Sequence, residues 1–168
     1  MSIREFTESY KQRGFPRNVH EWTGKVIVTD VSASSLIYVD GCYTVEEYFL
    51  FPACNVPLHS HPCDTITIFL GGSFFGFSIA GSGSGSKKYS AADYGSIGGI
   101  LTAGDKHGAV IGQGGAVSLV VAEWKDLAQR NSAAIEWYGE PSGPMHQALL
   151  HQQSLERIET NDRLTGQQ

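Results

Sequence analysis

His59 and His61 are separated by one residue. In an extended segment residues i and i+2 point to the same face, so these two imidazoles can be offered to one ion. Two ligands from one strand leave a tetrahedral or octahedral ion under-coordinated, and a third must come from elsewhere. Gly104-Asp-Lys-His107-Gly places a histidine at the entry to a later apolar segment, where folding can close it over the first two. His59, His61 and His107 are therefore the expected ligands of one divalent metal ion. Imidazole alone does not select among Fe(II), Zn, Mn and Ni. His20, His146 and His151 stand outside any such spacing and are read as surface or packing residues.

The elements that must position these side chains are mostly short strands. Residues 25–29, 35–39, 43–51, 65–70, 74–79, 109–111 and 117–123 are apolar segments rich in β-branched and aromatic residues, with turn signals such as Asp40-Gly41 and Gly71-Gly72 between them. Residues 2–13 read as a helix: Ser2 and Glu5 have capping-box spacing, and Ile3, Phe6 and Tyr10 recur on one helical face. Gly81-Ser-Gly-Ser-Gly-Ser86 reads as a flexible surface loop. Pro141-Ser-Gly-Pro144 breaks the chain ahead of a polar helical tail over residues 145–160.

In these histidine and glycine spacings the chain resembles the cupin superfamily. The first motif of that superfamily has glycine, five residues, His-x-His, three or four residues, glutamate, six residues and glycine; the second has Pro-x-Gly-x-x-His. Here His59 and His61 supply His-x-His, Gly71 or Gly72 the closing glycine, and Gly104 and His107 the Gly-x-x-His. Ala53 stands where the opening glycine belongs, Thr102 stands for proline, and Thr65 occupies the glutamate position. Asp64 is adjacent, but successive strand residues face opposite ways, so it reaches a metal only if the chain after Pro62 redirects it.

The resemblance implies an all-β fold, a cupin-type double-stranded β-helix or jelly-roll barrel over about residues 25–124 of one domain spanning 1–168, with the N-terminal and C-terminal helices packed outside. It implies the metal at His59, His61 and His107, and pairing of two copies into a homodimer. Cupins with three histidines and no glutamate include thiol dioxygenases and some diketone-cleaving dioxygenases. Pro57-Leu-His-Ser-His-Pro62 is similar to the Pro-Leu-His-Asp-His-Pro segment of the cysteamine and N-terminal-cysteine oxidases. The function so implied is a mononuclear non-haem Fe(II) dioxygenase acting on a small anionic or thiol substrate. A non-catalytic cupin that binds a small molecule or scaffolds an assembly is the alternative, and a zinc-type hydrolase or isomerase a further one.

Around the motifs, Tyr38, Tyr43, Tyr48, Tyr89 and Tyr94 could include a proton donor, although tyrosine is common on sheet surfaces. Cys54 and Cys63 flank His-x-His and read as buried inert thiols; with Cys42 they make an odd count without CxxC spacing, which suggests no disulfide framework. Asp105 either orients His107 or shapes the turn.

Composition narrows the remaining classes. Charged residues are 17% of the chain and glycine reaches 20 of 168, a mixture that suits strands and tight turns. A net charge of -5 and no basic cluster beyond Lys87-Lys88 argue against nucleic acid as a partner. No run approaches the roughly 18 apolar residues that span a bilayer, and the polar N-terminus does not read as a signal peptide. The expected location is cytoplasmic.

Overall fold

The computed structural model describes residues 1–17, 25–80, 83–126, 128 and 135–138. The expected C-terminal helix over 145–160 lies outside the described residues, as do His20, His146 and His151.

Helix α1 spans Ile3–Gln12 and starts as the sequence predicts. The Ser2 backbone N–H donates to Glu5 Oε2 at 2.7 Å, and the Glu5 backbone N–H donates to Ser2 Oγ at 3.3 Å. Two of the helix's four unpaired N-terminal amides thereby find acceptors. Ile3, Phe6, Thr7 and Tyr10 are buried on one face, and the Phe6 ring stacks on Tyr43 at 4.3 Å between centroids.

The strands are β1 (Val26–Val28), β2 (Ser32–Asp40), β3 (Tyr43–Leu50), β4 (Asn55–Ser60), β5 (Asp64–Ala80), β6 (Gly83–Tyr89), β7 (Ile97–Leu101), β8 (Lys106–Glu123) and β9 (Glu136–Trp137). Among the described residues all pairings are antiparallel and join one nine-stranded sheet. Its backbone is the long pair β5 and β8, in register from Asp64↔Glu123 to Ile79↔Lys106. The other edge of β8 is shared: β3 pairs with residues 116–123, and β4 with residues 107–110.

This pairing corrects the expected closed barrel. The strand order runs β1-β2-β3-β8-β4-β9, with β6 and β7 flanking β5, and among the described residues no ladder joins its ends. A barrel needs its first and last strands hydrogen-bonded to each other; here the sheet is open and folds back instead. The fold is made where β5 and β8 cross Gly72 and Gly115, both at positive φ. A Cβ on Gly72 would overlap the Gly115 carbonyl oxygen, so the two backbones approach to a distance only glycine allows.

The Gly/Ser stretch is a second correction. Residues 83–86 are not a free loop but the start of β6, paired to β5 from Phe77↔Ser86 to Ala80↔Gly83. Backbone ladder bonds need no side chain, so lack of apolar surface does not prevent pairing.

Side-chain alternation then divides the sheet into two faces. Tyr43, Val45, Leu119, Val121, Ile66 and Ile68 turn toward α1 and form the main core with Ile3, Phe6 and Tyr10. Their neighbours Thr44, Glu46, Tyr48, Ser118, Val120, Ala122, Thr65 and Thr67 turn the other way and line a cavity of about 710 Å³. A second cluster of Val31, Cys54, Val56, Ala109, Ile111 and Ala116 packs beneath it. Among the described residues, no helix is long and apolar enough to cross a membrane.

Candidate metal centre

The two histidine motifs meet because β4 and the start of β8 are paired. His59 lies directly opposite His107 in the ladder, and their rings stand 4.2 Å apart between centroids. His61, just past the end of β4, brings its ring to 5.1 Å from His59 and 5.0 Å from His107. One nitrogen from each of the three lies within 4.8 Å of the others. The loop that carries His107 is tied to the first motif by the Gly104 N–H, which donates to the His61 carbonyl at 2.9 Å.

Two of the imidazoles have their tautomer set by the backbone. His59 Nδ1 lies 2.9 Å from the Pro57 carbonyl oxygen, and His107 Nδ1 lies 3.3 Å from the Asp105 carbonyl oxygen. A carbonyl oxygen only accepts, so each Nδ1 carries the proton and donates it, and each Nε2 is unprotonated. This is how ligating histidines are commonly oriented around a metal.

Electrostatics keep the cluster neutral. Burial pushes the His59 imidazolium down to about 4, with repulsion by His107 adding to it and the Pro57 carbonyl opposing. His61 is driven to about 3 by burial and then by His107 and His59. Burial lowers His107 as well, against the Asp105 carbonyl and carboxylate. At neutral pH all three therefore present lone pairs rather than protons, which is the state a metal ligand needs. The donor set fits one divalent ion.

The departures from the cupin pattern each have a local reason. Ala53, in place of the opening glycine, adopts φ +53, so the position retains the left-handed backbone that glycine would supply. Thr102, in place of proline, donates its N–H to Asp105 Oδ2 at 2.8 Å, a bond proline has no hydrogen to make. The Asp105 carboxylate thus shapes the turn while its carbonyl holds His107. Gly72, not Gly71, is the residue at positive φ that serves as the closing glycine.

The carboxylate position is decided by the direction of β5. Thr65, at 3% exposure, lines the cavity with the histidines. Asp64 points away, its Oδ1 accepting the Ala103 N–H at 2.8 Å. Among the described residues the ligand cluster holds imidazoles alone.

Of the other residues singled out from sequence, Tyr48 and Tyr89 line the cavity. Tyr38 and Tyr43 pack on the α1 side and Tyr94 is exposed. Cys54 and Cys63 are buried free thiols. Burial, then Asp64 and Glu46, push Cys63 up to about 12, which leaves it a thiol at neutral pH. Sequence reasoning missed Glu46, whose carboxylate shares the cavity. The available signal was its alternation with Val45 and Glu47 in β3.

No family model matches the sequence, and no curated relative does. Solved structures do share the fold. An oxalate decarboxylase of Lactobacillus farciminis in complex with formate superposes with a TM-score of 0.56 at 14% identity, covering 69% of this chain and 34% of that one. An oxalate decarboxylase of Bacillus subtilis gives 0.55 at 15% identity, covering 67% of this chain and 30% of that one. A second study of the Bacillus subtilis enzyme, concerned with its Mn(II) centres, gives 0.56 at 15% identity, covering 68% and 30%. The chain thus spans about a third of the length of these proteins, and at such identity the likeness shows a cupin-like fold.

Proposed function

We propose that the protein is a metal-dependent cupin enzyme, a mononuclear non-haem Fe(II) dioxygenase acting on a small anionic or thiol substrate. The observation that carries this reading is a cluster of three neutral imidazoles with Asp64 turned away and Thr65 at the carboxylate position. Three neutral ligands leave the 2+ charge of an ion uncompensated inside a partly enclosed cavity, so an anion is the natural further ligand. Fe(II) bound there would supply dioxygen activation beside a coordinated substrate. The Pro57–Pro62 segment, similar to that of the cysteamine and N-terminal-cysteine oxidases, supports a thiol among the candidate substrates.

The chain's own residues do the holding. Pro57 and Asp105 carbonyls orient His59 and His107, and Gly104 locks the second motif against the first. Val56, Leu36, Val120 and Phe74 give the cavity wall an apolar part. Two copies are expected to associate, and a monomer by light scattering at tens of micromolar would remove that part.

The test is metal analysis of untagged protein, followed by anaerobic reconstitution with Fe(II), Zn, Mn or Ni and measurement of O₂ uptake on a panel of thiols and small carboxylates. The expected result is one ion per chain and substrate-dependent O₂ consumption with iron only. Replacing His59, His61 or His107 singly by alanine should abolish stoichiometric binding. Stoichiometric metal without O₂ uptake on any probe would remove the dioxygenase; absence of metal binding would leave a small-molecule-binding module.

A further inference from the structure

Where β5 runs beside the second histidine motif, its cavity face carries one polar side chain. Phe74, Gly76 and Ser78 alternate onto that face, while Phe75 and Ile79 turn outward and are exposed. In register Ser78 lies directly opposite His107, which on its other edge lies opposite His59. Residues opposed in this way have Cβ atoms about 4.5–5.5 Å apart, so the serine stands beside a ligand imidazole. His59, His107, Ser78 and Gly85 form one row across β4, β8, β5 and β6, and all four line the cavity. His107 makes no use of this neighbour, since its Nδ1 donates to the Asp105 carbonyl. Among the described residues no other group is hydrogen-bonded to the Ser78 hydroxyl either. There is also room next to it: among the described residues, a Cβ placed on Gly85 would meet only Ser78 Oγ, at 3.8 Å. A half-buried hydroxyl that bonds no protein group and adjoins a metal ligand has a proton to give to whatever enters the site.

We propose that Ser78 is a specificity-determining residue of the metal centre, its hydroxyl donating a hydrogen bond to a carboxylate that binds the ion as its further ligand. The inference rests on the metal-site reading above and narrows the anionic head group to one that offers oxygen. A carboxylate bound through one oxygen keeps lone pairs for a neighbouring donor, whereas sulfur is a weak acceptor, so the same hydroxyl does little for a thiolate. The hydroxyl is uncharged, and so it discriminates between anions without neutralising the 2+ charge that draws them.

The test uses the full chain loaded with Co(II), whose visible spectrum reports on ligands entering the metal site without any turnover. Propionate and ethanethiol, which share an ethyl group and differ in the head, are titrated into wild type and variants. Ser78→Ala should weaken propionate roughly tenfold, or ~1.4 kcal/mol, the order of one hydrogen bond to a charged group. Ethanethiol affinity should be unchanged. Ser78→Thr and Ser78→Val are alike in shape and differ in the hydroxyl, so the first should keep wild-type propionate affinity relative to ethanethiol and the second should lose it. This pair guards against an effect of lost volume or of poor folding in Ser78→Ala. Ser35→Ala, paired with Glu47 on the face away from the cavity, should alter neither affinity. The proposal is overturned if removing the hydroxyl leaves propionate affinity as in wild type, or weakens both ligands alike. It is equally overturned if ethanethiol shifts the wild-type spectrum and propionate does not. Failure of the wild-type chain to bind Co(II) at all is a different result, which removes the metal-site reading and this inference with it.

Discussion

Stripping metal with a chelator and lowering the pH should destabilise the protein through the histidine cluster, by an amount the structure bounds. An unperturbed histidine titrates near 6.5, whereas burial holds His59 at about 4 and His61 at about 3 in the folded chain and lowers His107 too. Between the folded and unfolded values the unfolded chain binds more protons, so folding stability falls as pH falls. The contribution is fully retained above pH 6.5 and is lost progressively down to pH 4 and below. A tenfold change in proton affinity corresponds to ~1.36 kcal/mol, so holding His59 at about 4 rather than 6.5 accounts by itself for about 3 kcal/mol. His61 and His107 add to this, though less than additively, because part of the lowering at His59 and His61 comes from repulsion by His107, and at His61 also by His59. At roughly 2–4 °C per kcal/mol for a chain of this size, the apo-protein should lose at least about 6–12 °C in Tm between pH 7.5 and pH 4. The assay is calorimetry in EDTA across that range, with His59→Gln/His61→Gln/His107→Gln as the reference for all other titrating groups. The difference between the two profiles isolates the cluster. Parallel profiles, or a wild-type Tm that is flat down to pH 4.5, would refute the argument.

Four further outcomes are expected. A divalent ion that binds only the folded chain should raise Tm, by about 2.7 kcal/mol of stability at a hundredfold excess over Kd, and the gain measured by thermal shift should vanish in His107→Ala. Thr65→Glu should retain or tighten metal binding in competitive titration and weaken small anions at the site by reducing its charge, while Thr65→Ala should change metal affinity little. Ala53→Gly should stabilise the fold by about 0.5–1 kcal/mol in urea denaturation, because relief of the left-handed φ, ~1–2 kcal/mol, outweighs the added chain entropy of glycine. Gly72→Ala should cost about 2 kcal/mol or more by the same measurement, since it meets both a positive φ and the Gly115 carbonyl.

Several features follow from local sequence alone. Ser2 and Glu5 cap α1 because a capping box is completed within one helical turn. His59 and His61 are offered together because alternate residues of an extended chain share a face. His107 could be named because its Gly-x-x-His spacing is a turn into a strand, and Gly104 takes the positive φ that such a turn requires. The missing carboxylate was equally visible, as Thr65.

What only the tertiary structure decided depends on partners distant in sequence. The segments 65–70 and 74–79 read as two strands but form one, because β8 runs alongside both and bulges after Phe69 and Gly72 absorb the break. The Gly/Ser residues at 83–86 became strand because β5 offered them a ladder, which composition does not record. Whether the sheet closes is likewise a matter of which edges meet, and periodicity carries no information about edges. Asp64 and Thr65 are neighbours in the chain, yet the amide of Ala103 took one away and the cavity received the other. Alternation puts Glu46 and Glu47 on opposite faces of β3 but does not say which face is the cavity. The register of β3 against β2 and β8 places Glu46 between Leu36 and Val120 on the cavity wall, and leaves Glu47 outside with Arg17.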